Sequence, residues 1–156
     1  KKIVLLVKTI FFFAYFCSMG RIMAIDYGAR RIGIAVSDPM QIIATGLTTV
    51  STADIFKFIL EYTKTEQIDK IVIGESKHLD NTKTDIAIEI EKFAVKIKSM
   101  VPKASIHWVD ERFTSKMAKA SMLESGLKKK KRQQKELVDE ISATLILQSF
   151  MNTTTY

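Results

Sequence analysis

Cysteine is all but missing from this chain of 156 residues, Cys17 being the one thiol. A lone thiol cannot close an intrachain disulfide, which excludes a disulfide-framed secreted scaffold and fits a reducing compartment. Histidine is almost as scarce, with His78 and His107 alone. Two imidazoles and one thiol do not furnish a structural zinc site, so a metal here would be a hard ion held by carboxylates. No internal repeat and no interdomain linker breaks the sequence, whose length suits one domain with a substantial core. The 47% hydrophobic and 26% charged content is that of an ordinary globular protein.

Long hydrophobic runs are lacking too, with one partial exception at the start. Residues 1–18, KKIVLLVKTIFFFAYFCS, open on lysines and turn apolar. A signal peptide reads this way, but Lys8 interrupts the stretch and no A-x-A-like cleavage site follows. The unbroken apolar part, 9–17, is too short to cross a bilayer, so no membrane partner is expected. The preferred reading starts the native chain at Met19, two residues before a clean strand, and treats 1–18 as a gene-model extension outside the domain. The domain then spans 19–152 with 153–156 as a tail, and the expected location is the cytoplasm.

Acidic residues are the minority, and the net charge is +7, or +4 without the three lysines of the first 18 residues. Residues 112–135 carry nine Lys/Arg against the single acid Glu124. Such a segment suits a polyanion such as nucleic acid, although a run of lysines also serves as a solvated loop.

Hydrophobic patterning supplies the elements. Arg21–Tyr27 and Arg31–Ser37 are β-rich runs around Gly28-Ala29-Arg30, a hairpin signal, and their near-continuous apolarity implies burial on both faces. Residues 46–50 suggest a third strand, and Ser51-Thr52-Ala53-Asp54 has capping-box spacing ahead of an apolar run to Tyr62. Further strands are expected over 70–73 and 105–109, and helices over 84–101, 114–125 and 135–151. His107 is expected to pack or hydrogen-bond on its strand, and Trp108, in phase with Ile106, to join the core rather than serve as a base-stacking platform. An antiparallel meander leading into alternating helices and strands implies an α/β fold, a mixed sheet with helices on its faces.

Three acidic positions sit where structure alone would not put them. Asp26 shares strand parity with Ile22 and Ala24 and stands at the end of the first strand. Asp110 and Glu111 follow Ile106-His107-Trp108-Val109 and point to opposite faces, so one of the two would share a site with Asp26. Asp139 begins a stripe continued by Ser142, Ala143, Ile146 and Phe150, which should face the sheet. An ionised carboxylate there is costly unless paired or metal-bound. Two plainer readings compete: an ion pair with Lys135 one turn earlier, or a favourable place in the helix's first turn. Converging carboxylates could hold one or two Mg²⁺ or Mn²⁺ ions. Two such ions about 4 Å apart can activate water and stabilise the leaving oxygen of a phosphodiester.

Together these marks resemble the YqgF/RuvX-like family of RNase H-fold proteins, called pre-16S rRNA nucleases or Holliday junction resolvases. The resemblance covers 21–150 and rests on Asp26-Tyr27-Gly28 with Arg31 and Gly33, Ser37-Asp38, Ile73-Gly74, Asp110-Glu111-Arg112 with Thr114, and Lys135 followed by Asp139. It implies an RNase H-like five-stranded mixed sheet, the first three strands antiparallel, flanked by helices. Asp26, Glu111 and Asp139 would be the catalytic metal ligands, for Mg²⁺ or Mn²⁺. Arg31, Arg112, Lys135 and the run Lys128, Lys129, Lys130, Lys131 and Arg132 would contact substrate, with Gly28, Asp38, Asp110 and Thr114 as accessory candidates. Arg112 could equally close a salt bridge in its own loop, and Ser37-Asp38 could be a strand-end turn before Pro39. Gly28 suits a close backbone approach at the metal edge or a turn of positive φ. Ser76, where the family usually has proline, and Ser142, where alanine is usual, depart from the pattern without removing a ligand.

The implied activity is metal-dependent hydrolysis of structured nucleic acid, most directly maturation of the 5′ end of pre-16S rRNA, with resolution of four-way DNA junctions as the alternative. A ribosomal precursor particle would be a partner for the first, and the chain would act as a monomer or homodimer. An actin-like ATPase is disfavoured because that architecture closes two such domains around its nucleotide. A non-catalytic RNA-binding assembly factor is disfavoured by the three carboxylates.

Overall fold

The computed structural model of the chain describes residues 20–75, 85–110 and 134–154. The hairpin forms as its sequence suggests: β1 (Arg21–Tyr27) pairs antiparallel with β2 (Arg31–Ser37), and β3 (Ala44–Ser51) continues the meander. Next in the chain come α1 (Ile55–Tyr62), β4 (Ile68–Glu75), α2 (Asp85–Met100) and β5 (Ser105–Asp110). β4 pairs parallel with β1 and β5 parallel with β4, so the sheet order is β3-β2-β1-β4-β5. Parallel neighbours need a crossover rather than a tight turn, and the intervening helices provide it. α3 (Lys135–Thr154) runs past the expected end at Met151. The helix expected over 114–125 and the basic run lie outside the described residues.

Burial on both faces explains why β1 and β2 lack a polar alternation. One face carries Met23, Ile25, Ile32, Ile34, Ile71 and Ile73 against α1 and α2, through Ile55, Ile59, Ile90, Phe93 and Ile97. Phe93 sits between Tyr27 and Phe56, with ring centroids 4.9 and 5.5 Å away, and the Lys96 ammonium lies 3.9 Å above the Phe56 ring. The other face carries Ile22, Ala24, Ala35 and Val72 under α3, which contributes Ala143, Ile146, Leu147 and Phe150. At α1, Ser51 Oγ accepts from the Asp54 N–H at 3.2 Å and donates to the Asp54 carboxylate at 2.6 Å, holding the turn into the helix.

Two glycines on the strands under α3 are there for a steric reason. A Cβ built on Gly33 would overlap the carbonyl oxygen and carbon of Asp139, and one on Gly46 would lie 2.7 Å from the Glu140 Cγ. Glycine at 33 lets the helix backbone settle onto β2, and glycine at 46 leaves room for the Glu140 side chain over β3. The Thr49 hydroxyl donates to the Glu136 carbonyl at 2.8 Å and ties the start of the helix to β3. At Gly46 a flexible side chain could yield, whereas at Gly33 the obstacle is backbone.

The substitution Gly33→Val should therefore destabilise the protein by about 1–3 kcal/mol, the usual cost of overpacking, with Gly46→Ala costing less. Urea unfolding of the two variants beside wild type measures the difference.

Candidate functional site

The carboxyl ends of β1, β4 and β5 lie along one edge of the sheet, because these three strands are parallel. In open α/β sheets that edge is where ligands bind. Asp26 pairs with Gly33 of β2, and the adjacent pair Ile25–Ile73 continues the row towards Gly74, itself opposite Val109 of β5. Asp26 thus has a glycine on β2 beside it and follows the phase of Ile22 and Ala24, which lie under α3. Its side chain is half-buried.

Asp139 arrives from above. Its backbone rests on Gly33, the residue beside Asp26 at a strand spacing of about 4.8 Å. Two carboxylate-bearing residues, 113 positions apart in the chain, are brought to one corner of one face. Arg31, at the start of β2 and in phase with Gly33, completes the corner: its Nε donates to Asp139 Oδ2 at 2.9 Å. This hydrogen bond, with the negative charges of Asp139 and Glu136, raises the Arg31 pKa above its ordinary value against the opposing effect of burial.

Both plainer readings of Asp139 therefore need correction. Its partner is Arg31, from across the sheet, and Lys135 is exposed. Nor does it lie in the first helical turn, where Glu136 is the acid. Asp38 also moves away from the candidate set. β2 is antiparallel to β1, so Asp38 lies five residues beyond Gly33 towards the opposite end of the sheet, roughly 17 Å at the usual strand rise. There its carboxylate accepts the backbone N–H groups of Met40, Ile42 and Ile43 at 3.0, 2.7 and 2.6 Å, and shapes a turn in which Gln41 has φ 58°.

Asp110 is exposed and in phase with Ile106 and Trp108, on the face opposite Asp26. Gly28 has no left-handed φ; a Cβ there would lie 2.6 Å from the Arg31 carbonyl oxygen, so close approach is its reason. The Thr52 hydroxyl donates to the Gly28 carbonyl at 2.8 Å and fixes the hairpin turn. Glu111, Arg112, Thr114, Lys128, Lys129, Lys130, Lys131 and Arg132 lie outside the described residues. Within the described residues, no three His, Cys, Asp or Glu side chains form a metal-sized group.

His107 packs as expected, its ring 4.9 Å from that of Phe150 and its Nε2 2.8 Å from Ser105 Oγ. Burial, helped by the positive charge of Lys70, lowers its pKa. Trp108 does not: it is 42% exposed. Strand phase gives the face a residue occupies, and on an edge strand such as β5 it says nothing of how far that face is covered. Among the described residues no helix is long and apolar enough to cross a membrane.

The sequence profile of the RuvX family, described as Holliday junction resolvase, matches residues 20–153. A protein of Bacteroides fragilis named "Putative pre-16S rRNA nuclease" is 54% identical over 135 residues, 86% of this chain and 98% of that one. One of the same name from Christiangramia forsetii is 48% identical over 133 residues, 85% of this chain and 98% of its own. Among solved structures, Thermus thermophilus RuvC in complex with a Holliday junction substrate aligns with a TM-score of 0.54 at 16% identity, over 87% of this chain and 97% of that one. The fold is RNase H-like, with the first three strands antiparallel.

Two measurements follow. Asp38 is held below its ordinary pKa of 3.8: burial works to raise it, and the backbone N–H groups of Ile43, Ile42 and Met40 outweigh that. A depressed folded-state pKa gives stability that is present above the unfolded value and is lost as pH falls through the folded one. The melting-temperature gap between wild type and Asp38→Ala should thus be full at neutral pH and close below about pH 4. Trp108 is the only tryptophan, so the protein's emission should be red-shifted and readily quenched by iodide; a blue-shifted, protected emission would contradict its exposure.

Proposed function

We propose, since this chain belongs to the RuvX Holliday junction resolvase family, that it hydrolyses phosphodiester bonds in structured nucleic acid with a carboxylate-held divalent cation. The observation that carries this reading is the meeting of Asp26 and Asp139 at one corner of the sheet, through the contact of Gly33 with the α3 backbone. Half-buried carboxylate oxygens are the donor type that Mg²⁺ and Mn²⁺ prefer, so these residues fit such an ion. Asp26 and Asp139 would hold it, with Glu111 as third ligand, a choice supported by the phase of Asp110 with Ile106 and Trp108 on the other face. When bound, such an ion lowers the pKa of water and offsets charge on the departing oxygen.

The chain's own residues bind and orient. Asp26 is set by the β1–β2 register, and Asp139 by the seating of α3 on Gly33, with Arg31 bonded to its carboxylate. Arg112, Lys135 and the run 128–132 would draw in the phosphate backbone, an attraction that weakens steeply with salt. The substrate favoured is pre-16S rRNA, which is in the names of relatives about half identical over nearly their whole length; cleavage at its 5′ end is what the family resemblance implies. A four-way DNA junction is the second reading, favoured by the family's description.

Asp26→Asn should reduce cleavage by at least about a hundredfold, the rate equivalent of several kcal/mol of lost charge stabilisation. The assay sets a precursor rRNA fragment and a four-way junction side by side in Mn²⁺. The substrate cut by wild type and spared by the variant is the one the site serves; undiminished cleavage of both by Asp26→Asn would overturn the reading.

A further inference from the structure

The Arg31–Asp139 pair has a feature that orientation alone does not explain. The bond runs from one guanidinium nitrogen, Nε, to one carboxylate oxygen, Oδ2. Among the described residues, Oδ1 and the two terminal guanidinium nitrogens take no further hydrogen bond. Both side chains are open to water, at 35% and 27% of full exposure. A single hydrogen bond at that exposure is readily exchanged. The guanidinium also stays charged, so it cannot make way for another cation by losing its proton. It has to move.

We propose that Arg31 is a positioning residue that competes with the divalent cation for the Asp139 carboxylate. Without a cation it neutralises Asp139, whose backbone rests on Gly33, the residue beside Asp26. A doubly charged ion at the same carboxylate is repelled by the guanidinium and drawn to the same oxygens. Loading the ion weakens the Arg31 bond and turns the planar fork, which suits phosphate oxygens, towards the substrate edge. Arg31 starts β2 directly after the hairpin turn, at the same sheet edge as Asp26, so its side chain can turn while its backbone stays in the ladder. Engagement of a phosphate is thereby coupled to occupation of the metal site. This inference rests on the reading of Asp139 as a cation ligand.

The test is calorimetric titration with Mn²⁺, without nucleic acid, of wild type, Arg31→Gln, Arg31→Lys, Asp139→Asn and the Arg31→Gln/Asp139→Asn double variant. Arg31→Gln should bind Mn²⁺ several-fold more tightly, while Arg31→Lys, which keeps the charge, should stay near wild type. In the Asp139→Asn background the gain from Arg31→Gln should vanish, because the contested carboxylate is gone. Unchanged or weaker binding by Arg31→Gln overturns the competition, as does a gain of equal size in the Asp139→Asn background. Loss of Mn²⁺ affinity in Asp139→Asn tests the ligand reading by itself: wild-type affinity there removes the premise, whereas a loss there without a gain in Arg31→Gln removes only the competition.

Discussion

The fit of the α3 backbone against Gly33 is the constraint on which the candidate site depends. A helix cannot approach a sheet this closely where a side chain stands between them, and the space a Cβ would need at Gly33 is filled by the main chain of Asp139. That contact fixes the height, the axial position and the rotation of the helix together. It therefore decides which α3 residue stands beside Asp26. A shift of one residue would turn the helix by about 100° and carry Asp139 off the sheet.

The two ends of the sheet do different work. At the edge where β1, β4 and β5 end, polar groups are gathered from separate elements: Asp26 from β1, Arg31 from β2 and Asp139 from α3. At the other end they close loops. Asp38 holds its own turn, the Arg21 guanidinium reaches Glu66 at 2.6 Å and the Ser37 carbonyl at 2.9 Å, and the Gly20 N–H donates to Asp69 at 2.7 Å. The difference is in partners. Asp38 is saturated by backbone donors within its own turn, and so has little left to offer a ligand. Among the described residues, Asp139 is bonded by a single long side chain, the half-buried and exchangeable Arg31.

Much of this was legible in the sequence. The near-continuous apolar runs of β1 and β2 declare strands buried on both faces, and the phase of Asp26 with Ile22 and Ala24 declares its face. The stripe from Asp139 to Phe150 declares the face α3 turns to the sheet. Periodicity has less to say about reach. Trp108 has the right phase for the core yet lies exposed, because burial depends on what covers an edge strand. The Ser37-Asp38 pair, grouped with the site by resemblance, belongs to the far end because an antiparallel partner carries its residues away as the chain advances.

Local chemistry by itself settled which segments become strands and helices and which way their residues face, since both follow from neighbours a few positions apart. Tertiary structure alone decided which charges meet. Lys135 is one helical turn from Asp139, but Arg31, 108 residues away, makes the bond. The physical reason is the approach of α3 to β2: it brings the short backbone path from Arg31 under the carboxylate, while Lys135 faces water. Pairings of this kind depend on distances between elements, and no spacing along a chain encodes those.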